Sequence, residues 1–286
     1  MEDPPKRKSD GQLRTLDLVP QDGEMLKPAE LIDITGISRL TLHTRRLYNQ
    51  LLAHAFGPDM GKEGHSWTIQ LSELRGRHNS NERVAQSIEA LMKTVVTVLL
   101  ANERTLRVQL LGGNDMDDAG RQYGTLTYSF DPKLVRLLRE SSVFGKLELA
   151  VIYAFSTKYA LALYEALARR VRLRDRFYED FTLEEFREVL GVPPDKLGTF
   201  SNLKLRAITP AVEEINAITS FSCEVEPRKT GRKVTHVRLY WHLKDIEEQK
   251  AAYATLQERQ AVWGPEEAAS LVEDPEIEGH ESGTVH

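Results

Sequence analysis

The sequence predicts an α+β chain of two tandem winged-helix domains, each a helix-turn-helix followed by a β-hairpin, between disordered tails. Three observations predict it. Residues 196–242, KLGTFSNLKLRAITPAVEEINAITSFSCEVEPRKTGRKVTHVRLYWH, read as an amphipathic helix, a strand, a basic turn and a second strand. Just before them, Thr182-x-x-Glu185 is a capping box opening a short helix that Gly191 closes. Residues 40–111 run through the same order of helix, short strand, helix, helix and hairpin, so the repeat is architectural and carries no residue-level identity.

Composition bounds the reading. A chain of 286 residues has room for two ordinary domains, and 41% hydrophobic with 28% charged residues is globular composition. No run of ~18 apolar residues exists to span a bilayer. The start, MEDPPKRKSDGQ, lacks the apolar core of a secretory signal. Cys223 is the single cysteine and cannot form an internal disulfide, so a reducing cytoplasm is the expected location. The net charge of −5 conceals an asymmetry: from Asp245 onward there are eleven acidic and two basic residues, leaving 36 basic and 32 acidic before it. A mildly basic body with an acidic tail is compatible with binding phosphates through a local face.

Residues 1–25 read as a flexible tail with a small basic cluster at Lys6–Lys8. Residues 27–34 suggest a short helix with Pro28 in its first turn. Residues 40–56 make a better helix, with Leu40, Leu47, Leu51 and Ala55 on one face and Gly57-Pro58 as its stop. Gly61-Lys62 resembles the end of a phosphate-binding loop, but Gly57 stands too close and Glu63 replaces the magnesium-binding hydroxyl, so this is a loop. A strand at 66–70, a helical turn at 71–75 and a helix capped by Ser80 follow, with Val84, Ile88, Leu91 and Met92 inward. Residues 94–100 and 105–111 form a hairpin. Residues 112–120 read as a flexible acidic loop, since Asp115, Asp117 and Asp118 lack calcium-loop spacing. A strand at 123–130 and a helix opened by Asp131 or Pro132 lead to residues 144–150, the expected passage between modules.

Ser156 is the expected N-cap of the next helix, whose stripe is Ala160, Leu163, Tyr164, Leu167 and Val171. Arg169, Arg170, Arg172, Arg174 and Arg176 at its far end complement the helix dipole or meet phosphate, and the sequence does not separate these. In the following helix Leu183, Phe186, Val189 and Leu190 point inward, and Pro193-Pro194 stiffen the turn. Beyond it, at 100° per residue, Phe200, Leu203, Ala207, Ala211 and Ile215 share one side of residues 199–218. Thr199, Asn202, Arg206 and Thr209 take the other, with Ser201 beside them. This side is polar, mildly basic and suited to base edges or phosphates in a DNA major groove. Lys204 falls on the apolar side of an ideal wheel and Pro210 interrupts the ladder, so a phase slip is expected near Pro210. Arg228, Lys229, Arg232 and Lys233 crowd the hairpin tip, where they would touch the DNA backbone. Val237, Leu239, Trp241 and Leu243 alternate with Arg238, Tyr240 and His242, one face dry and one wet. Residues 247–263 suggest a last helix, and 264–286 an acidic disordered end.

No Cys/His cluster, nucleophile elbow or paired carboxylates can be read in the chain, and its eight histidines are scattered. No enzyme, metal or cofactor is expected. A nicking mechanism through a tyrosine lacks the His pair that would hold its metal, and Tyr123, Tyr128, Tyr159 and Tyr164 read as strand or core residues. The plainer rival is a helix and hairpin that only cover a core.

Three segments carry a family resemblance: AFSTKYALALYEALAR (154–169), FTLEEFREVLGV (181–192) and FSNLKLRAITPAVEEINAIT (200–219). They resemble the second winged helix of plasmid replication initiators of the iteron-binding Rep type, in order and at suitable spacing. The family's Ser-Lys-Tyr-Ala-Leu, Arg-Glu-Ile-Leu-Gly-Val, Pro-Ala-x-x-Glu-Ile-Asn and Gly-Arg-Lys-Val patterns stand here within 157–165, 186–192, 203–216 and 231–234. The likeness is strong over 155–243 and weaker but compatible over 26–130. It implies a protein that binds tandem origin repeats in double-stranded DNA as a monomer through both modules. As a homodimer, joined mainly through the first module, such a protein represses its own promoter. It is implied to help open an AT-rich segment and to recruit the host initiator and replicative helicase, without catalysis. Lys204 and Arg206 match the family's basic pair, interrupted here by Leu205, and Arg232 and Lys233 match its wing. The expected division is a tail at 1–25, a first winged helix for dimerisation and accessory DNA contact at 26–145, the main DNA-binding domain at 146–245 and an acidic tail, part helix, at 246–286. A winged-helix transcriptional repressor without a replication role is the alternative.

Overall fold

The structure, a computed structural model, describes residues 13–75, 81–100, 104–117, 124–173 and 175–262. A single 3-10 turn at Thr15–Asp17 comes first, with Thr15 and Leu16 buried, so the last part of the tail expected at 1–25 is packed; β1 (Glu24–Pro28) then pairs antiparallel with β7 (Phe144–Glu148), and α1 (Ala29–Ile32) follows directly. The helix expected across 27–34 forms only over 29–32, and Lys27 and Pro28 belong to the strand, because Lys27 finds a ladder partner in Gly145 far along the chain. Helix α2 (Leu42–Ala55) starts at Thr41, whose hydroxyl accepts from the Thr44 amide. Next come β2 (Trp67–Gln70), α3 (Leu71–Leu74) and α4 (Asn81–Lys93), with Val84, Ile88 and Leu91 buried and Met92 half-buried. The proposed cap Ser80 lies outside the described residues. The hairpin of β3 (Val95–Leu99) and β4 (Thr105–Gln109) closes this helix-turn-helix as its wing.

Two further expectations in this half need correction. Residues 113–116, read as part of a loop, form β5 (Gly113–Met116), which pairs with β6 (Thr125–Ser129), itself paired to β2. Gly112 makes the approach possible, since a Cβ there would stand 2.7 Å from the Phe130 carbonyl oxygen. After α5 (Pro132–Arg139), capped by Asp131, residues 144–150 are not a passage. They are β7 and the start of α6 (Leu149–Ala154), folded back onto the first strand.

Helix α7 (Lys158–Arg170) is the central strut. Its N-cap is Thr157, one residue later than expected, with the hydroxyl accepting from the Ala160 amide. Ten of its thirteen residues are buried, not one stripe, because Leu161, Ala162, Ala166 and Ala168 are apolar as well. It packs against β7, α2, α8 (Leu183–Leu190) and α10 (Thr209–Ile218), and one continuous hydrophobic cluster runs through both halves of the chain.

The second half closes with a three-stranded antiparallel sheet in the order β8 (Tyr178–Thr182), β10 (Lys233–Leu243), β9 (Phe221–Thr230). Val237, Leu239 and Trp241 face the core, whereas Leu243 is exposed at the end of β10, still paired with Phe221 of β9 but beyond the last β8 pair at Tyr240. The arginine cluster at the end of α7 is only partly free, with Arg172 exposed and unpaired among the described residues. Arg170 is buried, donates to both carboxylate oxygens of Glu179 and lies 5.4 Å from the Phe181 ring, while Arg169 pairs with Asp33 at 2.9 Å. Arg174 lies outside the described residues. Helix α11 (Ile246–Val262) packs Ala252 and Leu256 toward α10 and α6. Among the described residues no helix is long and apolar enough to cross a membrane.

Candidate nucleic-acid interface

The interface is set by how one helix is held. Helix α8 begins with the reciprocal bonds of Thr182 and Glu185 and ends at Gly191, at φ +65°. Residues 193–197 then form a tight turn around the buried guanidinium of Arg187. It donates to the carbonyls of Pro193 (3.1 Å), Lys196 (2.6 Å) and Leu197 (2.8 Å). Leu197 sits at φ +50°, a left-handed conformation that a leucine adopts only under such constraint. From this turn Thr199 caps α9 (Phe200–Leu203), its hydroxyl accepting from the Asn202 amide.

The rod continues through a π turn, Lys204–Ile208, into α10. Pro210 has no amide to offer, and the Thr209 amide reaches back to the Lys204 carbonyl, so the ladder widens by one residue ahead of the proline. This is the expected slip, and it resolves the Lys204 conflict. Leu203 and Ala207 remain fully buried while Lys204, Leu205 and Arg206 are all exposed.

The far end of the rod is tied down as firmly. Glu214 is buried and accepts from the Ser156 amide and hydroxyl and from the Thr157 hydroxyl, with Arg259 of α11 at 3.8 Å. Burial pushes its carboxyl above the usual range, and those bonds work against the rise. Asn216 brackets the Cys223 backbone with its side-chain amide, and Lys244 Nζ donates to the carbonyls of Asn216 and Thr219 at the helix end.

Of the ten residues marked by the sequence, Thr199, Ser201, Asn202, Lys204 and Arg206 are exposed on the rod, and Thr209 is half-buried. Arg228, Lys229, Arg232 and Lys233 are exposed on the wing, where Gly231 at φ +62° turns β9 into β10. Arg228 is engaged by Glu226 at 3.2 Å. No ion pair or side-chain hydrogen bond joins Lys204, Arg206, Lys229, Arg232 or Lys233 to another described residue. Cations left unpaired at two neighbouring features are what a polyanion needs.

Sequence reasoning passed over the residues that hold this surface. Arg187 was visible only as one letter of FREVLGV, and a mid-helix arginine normally reads as solvated. Arg45 and Arg46 of α2 were equally silent. Arg46 donates to the carbonyls of Ile152, Tyr153 and Phe155 at the end of α6, and Arg45 to those of Ile37 and Lys158. A Cβ on Gly191 would collide with the Arg45 guanidinium, so the first half of the chain rests directly on the turn that launches the rod. Arg39 and Asp195 pair across the same seam at 3.4 Å.

Among the described residues no group of His, Cys, Asp and Glu is arranged for a metal. Burial pushes the Cys223 thiol up to about 12. The Tyr128 hydroxyl is spent on the Leu51 carbonyl and that of Tyr164 on the Glu148 amide, and burial raises both above the usual phenol range. Tyr123 lies outside the described residues.

Two helix-turn-helix units, each followed by a hairpin, make this a tandem winged-helix protein. The family models agree with that class and narrow it. Residues 25–168 match the model described as Initiator Replication protein, WH1, and residues 182–241 the one described as Initiator Rep protein, WH2. The chain belongs to the initiator Rep protein family. Among solved structures it is similar to the Pi initiator protein in complex with iteron DNA, with TM-score 0.53 and 17% identity over 79% of this chain and 100% of that one. At that identity the likeness is one of fold. No curated protein sequence matches the chain.

Proposed function

We propose that this chain initiates plasmid replication by binding tandem origin repeats, with the 199–218 rod in the major groove and the 228–233 wing on the adjacent backbone. The observation that carries this is the unpaired, exposed set of Ser201, Asn202, Lys204 and Arg206 on a helix anchored at both ends. The solved relative's iteron complex supports the same ligand class. Residues 26–145 would add a second DNA contact and a homodimer surface, and exposed Val95 and Leu99 on the first wing offer apolar area for it. Opening of an AT-rich segment and recruitment of the host initiator and replicative helicase complete the role, in the cytoplasm and without catalysis.

Footprinting on the DNA flanking the gene tests the reading. Protections evenly spaced by about two helical turns suit two modules per repeat, and uniform or absent protection defeats it. Maintenance of a plasmid bearing that DNA only in cells making the protein separates an initiator from a repressor.

Two substitutions sort the contacts. Arg206→Ala is expected to weaken repeat binding by ~1–3 kcal/mol and relax preference at one base pair. Titration against a panel of single-base variants reads both, and wild-type behaviour rejects the groove assignment. Lys229→Ala is expected to weaken all duplexes alike and to lower the slope of log K against log salt by about one. An unchanged slope removes the wing from the phosphate backbone.

A further inference from the structure

Leu205 is exposed where a leucine has no structural reason to be. It is 68% exposed in the middle of the rod, between Lys204 and Arg206, while its neighbours Leu203 and Ala207 are sealed in the core. Lys204, Leu205 and Arg206 fill the three positions between the buried Leu203 and Ala207, and all three side chains lie outside. Every other exposed residue from Thr199 to Arg206 is polar. A branched hydrocarbon set among hydrogen-bonding groups therefore faces whatever those groups face.

The major-groove edges of the four bases carry donors and acceptors and one apolar group, the C5 methyl of thymine. We propose that Leu205 is a specificity-determining residue that reads a thymine methyl in the repeat, flanked by the polar readers Ser201, Asn202 and Arg206. The assignment rests on the rod lying in the major groove and goes beyond it by naming the base and the atom. Leu205 carries no charge, so its contribution lies in sequence preference and not in the salt dependence.

The experiment uses the full chain and starts from random DNA. Wild-type protein selects its preferred duplex from a random-sequence pool, and each thymine of that duplex is then replaced singly by deoxyuridine, which lacks only the methyl. At one thymine the replacement is expected to weaken wild-type binding about fourfold, the worth of one methyl removed from water. Leu205→Ala is expected to bind the thymine duplex more weakly than wild type and to lose nothing further on deoxyuridine at that position. An exposed side chain contributes little to folding, so its melting temperature should match wild type and keep the comparison clean. Wild-type binding indifferent to every replacement, or a Leu205→Ala protein that keeps the full sensitivity, overturns the assignment. A pool that yields no preferred sequence defeats the groove reading first, and the Leu205 assignment falls with it.

Discussion

Lys27→Met is expected to lower the unfolding free energy by about 3–5 kcal/mol. Lys27 on β1 is 4% exposed, and its ammonium donates to Glu165 of α7 at 2.8 Å and to Asn49 of α2 at 2.9 Å. The Asn49 amide closes the triangle on the second Glu165 oxygen at 2.6 Å. Burial holds the Lys27 ammonium below its usual range, and attraction to Glu165 opposes this without cancelling it. The pair is thus favourable only as a pair. Removing Lys27 strands a buried carboxylate where β1 and α2 meet the central strut α7. The physical consequence is asymmetric, since replacing both ions with apolar groups of similar size restores packing without leaving a charge behind. Urea titrations should therefore show Lys27→Met far below wild type and Lys27→Met/Glu165→Leu recovering most of the loss. A single mutant within about 1 kcal/mol of wild type would mean that water already reaches the site.

Arg187→Leu is expected to cost about 2–4 kcal/mol of stability, from three charge-assisted bonds lost in a buried turn. Its larger effect is on recognition. The turn it organises includes Leu197 at φ +50° and sets where Thr199 starts the rod. Without the guanidinium the Pro193, Lys196 and Leu197 carbonyls lose their common donor, and the left-handed leucine relaxes. Well below its melting temperature the variant should discriminate between repeat and random duplex at least tenfold less than wild type. Its salt-dependent binding to random DNA should persist, because the unpaired cations remain. Loss of both kinds of binding in step, in a protein still folded by circular dichroism, would show that Arg187 supports the whole surface and not the angle of the helix.

Much of the interface could be read from the chain alone because its signals are local. The capping box at Thr182, the left-handed Gly191, the apolar period of the rod and the alternation of β10 each concern residues within a few positions of one another. Even the defect was legible, since a proline in a helix must disturb the ladder before it. Its form was not: Lys204, which an ideal wheel turns inward, is exposed where the ladder widens to a π turn. Strand β5 was missed because GNDM has the composition of a turn, and it is a strand only because β6 supplies the ladder. Strand β8, in RFYEDF, is short and lacks a clean alternation, and it too is a strand because a distant partner, β10, supplies the ladder.

The main helices, the face of each that meets the core and the polar face left over are legible in the chain alone, since they follow from periodicity and caps that any neighbourhood must respect. The tertiary structure alone decided which cations are free and which are spent. Arg169, Arg170 and Arg187 look like Lys204 and Arg206 in the sequence, yet Asp33, Glu179 and three backbone carbonyls consume the first group while no described residue pairs with the side chains of the second. Charge is a property of a residue, but its availability depends on partners brought from elsewhere in the chain, and only folding brings them.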